Sequence, residues 1–112
     1  MKQIDWFEEY LKVFDRIEKR LIELDLWSEK RPAAEAFEST MPFCVDTLKL
    51  EQWIQFIFLP KMRRSVERNE LPPGPAKLAP IAEEAFKETE DAEKLIKAIE
   101  KFDEVSHLSH LH

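Results

Sequence analysis

At 112 residues the chain has room for one ordinary domain and not for two, and its single cysteine, Cys44, excludes an intramolecular disulfide. With 44% apolar residues, including eight Phe and three Trp, it can fill a core without staples. The net charge is −6, and four of the six excess negative charges fall in residues 76–112, so phosphate backbones are repelled and direct nucleic-acid binding is unfavoured as a principal activity.

The first helix is predicted over residues 4–26. Ile4, Phe7, Leu11, Phe14, Ile17, Leu21 and Leu24 recur at steps of three and four, and Trp6, Tyr10 and Val13 widen the stripe. Pairs such as Glu8/Lys12 and Asp15/Lys19 mark the solvated face. No apolar stretch of signal-peptide type opens the chain, and no window approaches the roughly 20 apolar residues that span a bilayer. Together with the free cysteine, this leads to the expectation of a cytoplasmic protein with no membrane association.

Residues 27–46 read as a connector whose apolar residues pack back onto the bundle. Loops this long in small domains are often functional. A central helix is predicted from 47–49 to 69, capped by Asp46 or Thr47. Between Leu50 and Met62 its apolar residues point all round the axis, so it should be enclosed by the other elements. Pro60 should kink it, because the ring clashes with the carbonyl of Phe56. Residues 71–75 form a stiff Pro-rich linker, and Pro80 starts a further helix near Ala79. Thr89 is the candidate cap for a last helix carrying Leu95, Ile96, Ile99, Phe102 and Val105. One glycine in the chain, Gly74, argues against a protein of hairpins. The fold class is therefore all-α: a four- to five-helix bundle with a buried, proline-kinked central helix. It forms one helical domain over 1–112, with 105–112 and its histidines His107, His110 and His112 a frayed tail.

Two polar features admit more than one reading. Asp46 and Thr47 serve either as a helix cap or as a ligand-binding pair. Gln55, an amide among apolar residues, must find partners. It either ties down the connector or lines a pocket with Trp53, Phe43 and Asp46. Lys61, Arg64 and Arg68 share one helical face, where cations complement the helix dipole or touch phosphates. There is no Gly-rich phosphate loop, no CxxC, no HExxH and no nucleophile elbow, so no catalytic residue, metal ligand or cofactor is assigned.

Phe37, Ser39, Thr40, Pro42, Phe43, Asp46 and Thr47, followed by Trp53-Ile-Gln-Phe56 and Pro60-Lys-Met62, resemble the pattern of the YqcC-like family, small bacterial helical proteins. Leu71-Pro72 and Ala79-Pro80 match a second, weaker part. The resemblance extends over roughly residues 3–104 and is specific at 37–62. Its members are associated by name and gene context with a tRNA pseudouridine synthase. That enzyme class is a larger mixed α/β fold built around a catalytic Asp, which 112 helical residues cannot supply.

The leading expectation is a non-enzymatic interaction or accessory module linked to tRNA modification. It would bind a protein partner through a groove of Phe37, Phe43, Asp46, Thr47, Trp53 and Gln55. One alternative is a small-molecule binder or hydrolase using Asp46, Thr47 and Gln55. Another is weak tRNA binding through Lys61, Arg64 and Arg68. A homodimer is left open.

Overall fold

The computed structural model of the chain describes residues 3–111. Four helices and two short 3-10 turns make it up, with no strand among the described residues. Helix α1 spans Trp6–Glu23. Its N-cap is Asp5, whose carboxylate accepts from the Glu8 N–H at 3.2 Å. It ends in a Schellman motif. The Leu26 and Asp25 N–H groups donate to Leu21 and Ile22, and Asp25 takes the left-handed backbone (φ 59°) that glycine usually supplies.

The apolar stripe of α1 is centred on Tyr10, Val13, Phe14, Ile17 and Leu21, all buried, rather than on the Ile4–Leu11 line. Ile4 is 58% exposed and Leu11 40%. The predicted stripe is thus rotated toward the residues that had been placed at its margin.

Helix α2 covers residues 50–67 in one run. It comprises Leu50–Trp53, a π turn over Ile54–Phe58 and Leu59–Glu67. The Leu59 N–H reaches back five residues to Ile54. A π turn widens the backbone immediately ahead of Pro60, where the ring would otherwise crowd the Phe56 carbonyl. The proline's disturbance takes this form, and the helix continues beyond it. Neither Asp46 nor Thr47 caps α2. The helix starts later, at Leu50, and the Gln52 side chain reaches back to accept from the Lys49 N–H at 2.8 Å. Asn69 (φ 58°) closes a second Schellman motif at its end.

The α2 face holding Ile54, Gln55, Phe58, Leu59 and Met62 is buried, while Trp53, Phe56 and Ile57 are half-buried. Enclosure on all sides is therefore incomplete: the bundle covers one face and the connector the other. Helix α3 spans Ala79–Ala85, with Pro80 in its first turn as expected, and α4 spans Glu93–Ser109. Thr89 does not cap α4. It lies in the turn between α3 and α4, and Ala92 stands at the N-cap position.

The most extensive helix pairing is between α1 and α4, built on Tyr10, Phe14 and Phe102, with Phe58 of α2 edge-on to both Phe14 and Phe102. This corrects the frayed tail. Val105, Ser106 and Ser109 are buried in α4, and the Tyr10 hydroxyl meets Ser109 Oγ at 2.7 Å. His110 Nε2 bonds the Pro72 carbonyl at 2.8 Å, so that nitrogen carries the proton. His112 lies outside the described residues.

The Pro-rich segment before α3 lies against α4. A side chain at Gly74 would collide with Ser106 and His110. Asp103 of α4 holds the start of α3 with both carboxylate oxygens, accepting from the Leu78 and Ala79 N–H groups at 2.9 and 2.8 Å. This is an N-terminal cap supplied from another helix. Asp103→Ala should cost about 2 kcal/mol, and Asp103→Asn about half that, because the amide can still accept one bond. Thermal unfolding of the two variants checks the order.

No helix of the described residues is long and apolar enough to cross a membrane. Arg63 of α2 joins α1 through Glu18 at 2.9 Å, a part-buried contact, and through the exposed Asp15 at 3.1 Å, the latter worth under about 1 kcal/mol.

Candidate functional site

The connector doubles back as a strap. After Ala34–Glu38 and Pro42–Cys44, two 3-10 turns, it lies along the half-buried face of α2. Phe37 meets Phe56 edge-on at 6.4 Å, and the Arg31 guanidinium sits 4.5 Å over the Phe37 ring. Phe43 packs edge-on against Trp53 at 4.8 Å. Two consecutive residues, Phe43 (φ 58°) and Cys44 (φ 49°), take left-handed backbone without being glycine. Each costs about 1–2 kcal/mol. The bend they make turns Val45 outward, 66% exposed, while Cys44 and Leu48 point in.

Four polar residues of the signature, Ser39, Asp46, Thr47 and Gln55, are engaged in holding this shape. Thr47 Oγ1 donates to the Ala36 carbonyl at 2.6 Å. Asp46 accepts from the Ser39 hydroxyl, whose oxygen in turn accepts from the Met41 N–H at 3.0 Å. Gln55 is buried and makes a paired bond with the backbone of Ser28. Its Oε1 accepts from the Ser28 N–H and its Nε2 donates to the Ser28 carbonyl, both at 2.8 Å. The amide thus satisfies a peptide group as another peptide would. Asp46, Thr47 and Gln55 reach three different partners, and the structure does not bring them together around one cavity.

A broad apolar concavity lies elsewhere. A groove of about 750 Å³ runs between the strap and α3. Phe43, Val45, Leu48 and Leu50 line one wall, and Pro80, Ile81, Ala85 and Phe86 the other. Of the six residues predicted to form a groove, only Phe43 lines this one. Trp53 joins Phe43 in a smaller cleft of about 190 Å³ beneath the Pro-rich segment. Ile81 is half-buried and Ala85 exposed, and among the described residues no element covers this side of α3. The sequence reading missed this wall because an apolar strip reads the same whether or not something covers it.

Lys61, Arg64 and Arg68 are exposed on α2, without an ion pair among the described residues. A polar cleft beside α1 holds Arg20, whose guanidinium donates to Glu23 at 2.7 Å and keeps that carboxyl below its ordinary range. Among the described residues no cluster of three His, Cys, Asp or Glu side chains is placed to hold a metal ion.

A family model described as tRNA pseudouridine synthase C, DUF446, matches residues 9–105. The chain belongs to the DUF446 family. An uncharacterised Haemophilus influenzae relative is 33% identical over 91 residues, covering 81% of this chain and 86% of that protein. The uncharacterised protein YqcC of Escherichia coli is 32% identical over 88 residues, covering 78% and 81%. A Pectobacterium carotovorum protein named tRNA pseudouridine synthase C is 50% identical over 50 residues, which are 45% of this chain and 13% of that protein. In structure, this DUF446 chain superposes on the solution structure of E. coli YqcC with a TM-score of 0.80, covering 92% of this chain and 89% of that one. At 24% identity, that likeness speaks for the fold.

Proposed function

We propose that this DUF446 chain is a non-enzymatic accessory module that binds a tRNA pseudouridine synthase in the cytoplasm. The observation that carries the reading is the Pectobacterium match. A 50-residue stretch, 50% identical to 45% of this chain, makes up 13% of a protein named for that enzyme, and the remaining bulk lies outside the match. On this reading the name describes chemistry in the rest of that polypeptide, with the matched stretch serving it. The geometry of this chain fits a supporting role. Ser39, Asp46, Thr47 and Gln55 are committed to the strap and its anchors, while the groove beside the strap is apolar. Purified chain and the synthase of the same organism, mixed and followed by size-exclusion with light scattering, should form a stable complex. Independent elution at micromolar concentration would refute the partnership.

A second reading rests on Lys61, Arg64 and Arg68. Three exposed cations without ion pairs on one helix face could meet tRNA phosphates despite the chain's acidity. It predicts salt-sensitive tRNA binding. Arg64→Glu should lower the affinity and reduce the salt slope by about one. Binding unchanged by Arg64→Glu would leave the patch a solvated helix end.

A further inference from the structure

The groove between the strap and α3 is carried by two net-acidic segments of the chain. Residues 34–51, which carry one wall, hold four acidic side chains and one basic. Residues 79–91, which carry the other, hold five acidic and one basic. These two segments together have a formal charge of −7, against −6 for the whole chain, so the remainder of the molecule is close to neutral. Glu51, Glu84 and Lys49 border the cavity itself, and Glu84 is paired with Lys87 at 2.7 Å. The floor is apolar, and Val45, 66% exposed, carries that apolar surface out onto the strap. Apolar ground set between two net-acidic segments favours an occupant with an apolar face and net positive charge on its flanks.

We infer that this groove docks a basic amphipathic helix of the partner protein. The inference rests on the accessory reading above and names the segment's chemistry. The α3 wall runs over seven residues, about 10 Å, which matches two turns of a bound helix. Two turns present apolar anchors at i, i+3 or i+4, and i+7 to one side. Lys or Arg beside those anchors would then lie over the acidic walls. An enzyme that binds tRNA carries basic surface of this kind. The strained backbone at Phe43 and Cys44 positions the Val45 edge in advance, so little ordering is left to the moment of binding.

The test uses isotope-labelled chain and two helical peptides of about 18 residues, both with Leu at the heptad-like anchor positions. One carries Lys elsewhere, the other Glu. The Lys peptide should shift the amides around Val45, Ile81 and Ala85, and should bind at least tenfold tighter than the Glu peptide at low salt. Raising the salt should narrow that gap. Ala85→Arg, which blocks and repels, and Val45→Ser, which only removes apolar surface, should each weaken the Lys peptide, the former at least tenfold. Both positions are exposed, and unchanged thermal unfolding confirms that the variants fold. Equal affinity for the two peptides would overturn the proposal. So would shifts centred on another face, or a second copy of the chain seated in the groove and seen as concentration-dependent shifts without peptide. If the synthase binds but Ala85→Arg leaves that complex intact, the groove assignment falls and the partnership stands. If the peptide results hold and the synthase does not bind, the partnership falls and the groove stands.

Discussion

Phe14→Ala should destabilise the protein by about 3–5 kcal/mol and lower its melting temperature by roughly 15 °C. The ring is fully buried and touches the rings of Tyr10, Phe58 and Phe102, which belong to three different helices. Removing it opens a cavity at the point where α1, α2 and α4 meet, and three other aromatic rings cannot all shift to fill it. Domains of this size have about 5–15 kcal/mol in total, so the loss is a large share. Leu11→Ala is the internal control. Leu11 lies three residues earlier in the same helix and is partly exposed, so its truncation should cost under about 1 kcal/mol. Equal losses for the two variants, read by chemical denaturation, would show that the α1 stripe is centred differently from the structure.

Gln55→Leu should cost about 2–4 kcal/mol although it makes the α2 core more apolar. Both bonds to Ser28 vanish, and the Ser28 N–H and carbonyl lose their partners at a part-buried position. Gln55→Glu separates the two halves of the interaction. An ionised carboxylate still accepts from the Ser28 N–H but faces the Ser28 carbonyl with no proton to give. The protonated acid restores the donor. Folding therefore favours the protonated form, and the introduced carboxyl has its pKa raised above the unfolded value of about 4.3. The variant should be destabilised at pH 7 and should recover relative to the parent as the pH falls toward 4. Denaturant melts of both proteins at several pH values check the sign. A penalty independent of pH would mean that the Ser28 carbonyl is not bonded by Gln55.

The places where the sequence could be read are those governed by neighbours along the chain. The three- and four-residue spacing located α1 and α4, Pro80 located the start of α3, and a lone amide in an apolar helix had to be tied to something. Local pattern failed where the partner is remote. The α3 cap comes from Asp103, more than twenty residues away, and no short-range rule points to it. Leu11 and Tyr10 are adjacent, and only the position of α4 decides which of them faces inward. Asp46 and Thr47 stand where a cap would be expected. The backbone bend at Phe43 and Cys44 carries them away from the helix start, and a bend built without glycine leaves no mark in the sequence. The groove escaped for a related reason: whether an apolar face is covered depends on where the rest of the chain goes.

The pairing of α1 with α4 has a consequence for biosynthesis. The two helices that share the deepest contact are separated by most of the polypeptide, with Tyr10 meeting Ser109 across 99 positions. At translation speeds of about 5–20 residues per second, α1 leaves the ribosome roughly five to twenty seconds before its mate exists. During that interval the greasy side of α1 has only α2 to lean on, through the Phe14–Phe58 contact. Nascent-chain chaperones should therefore engage this protein until its final turns emerge.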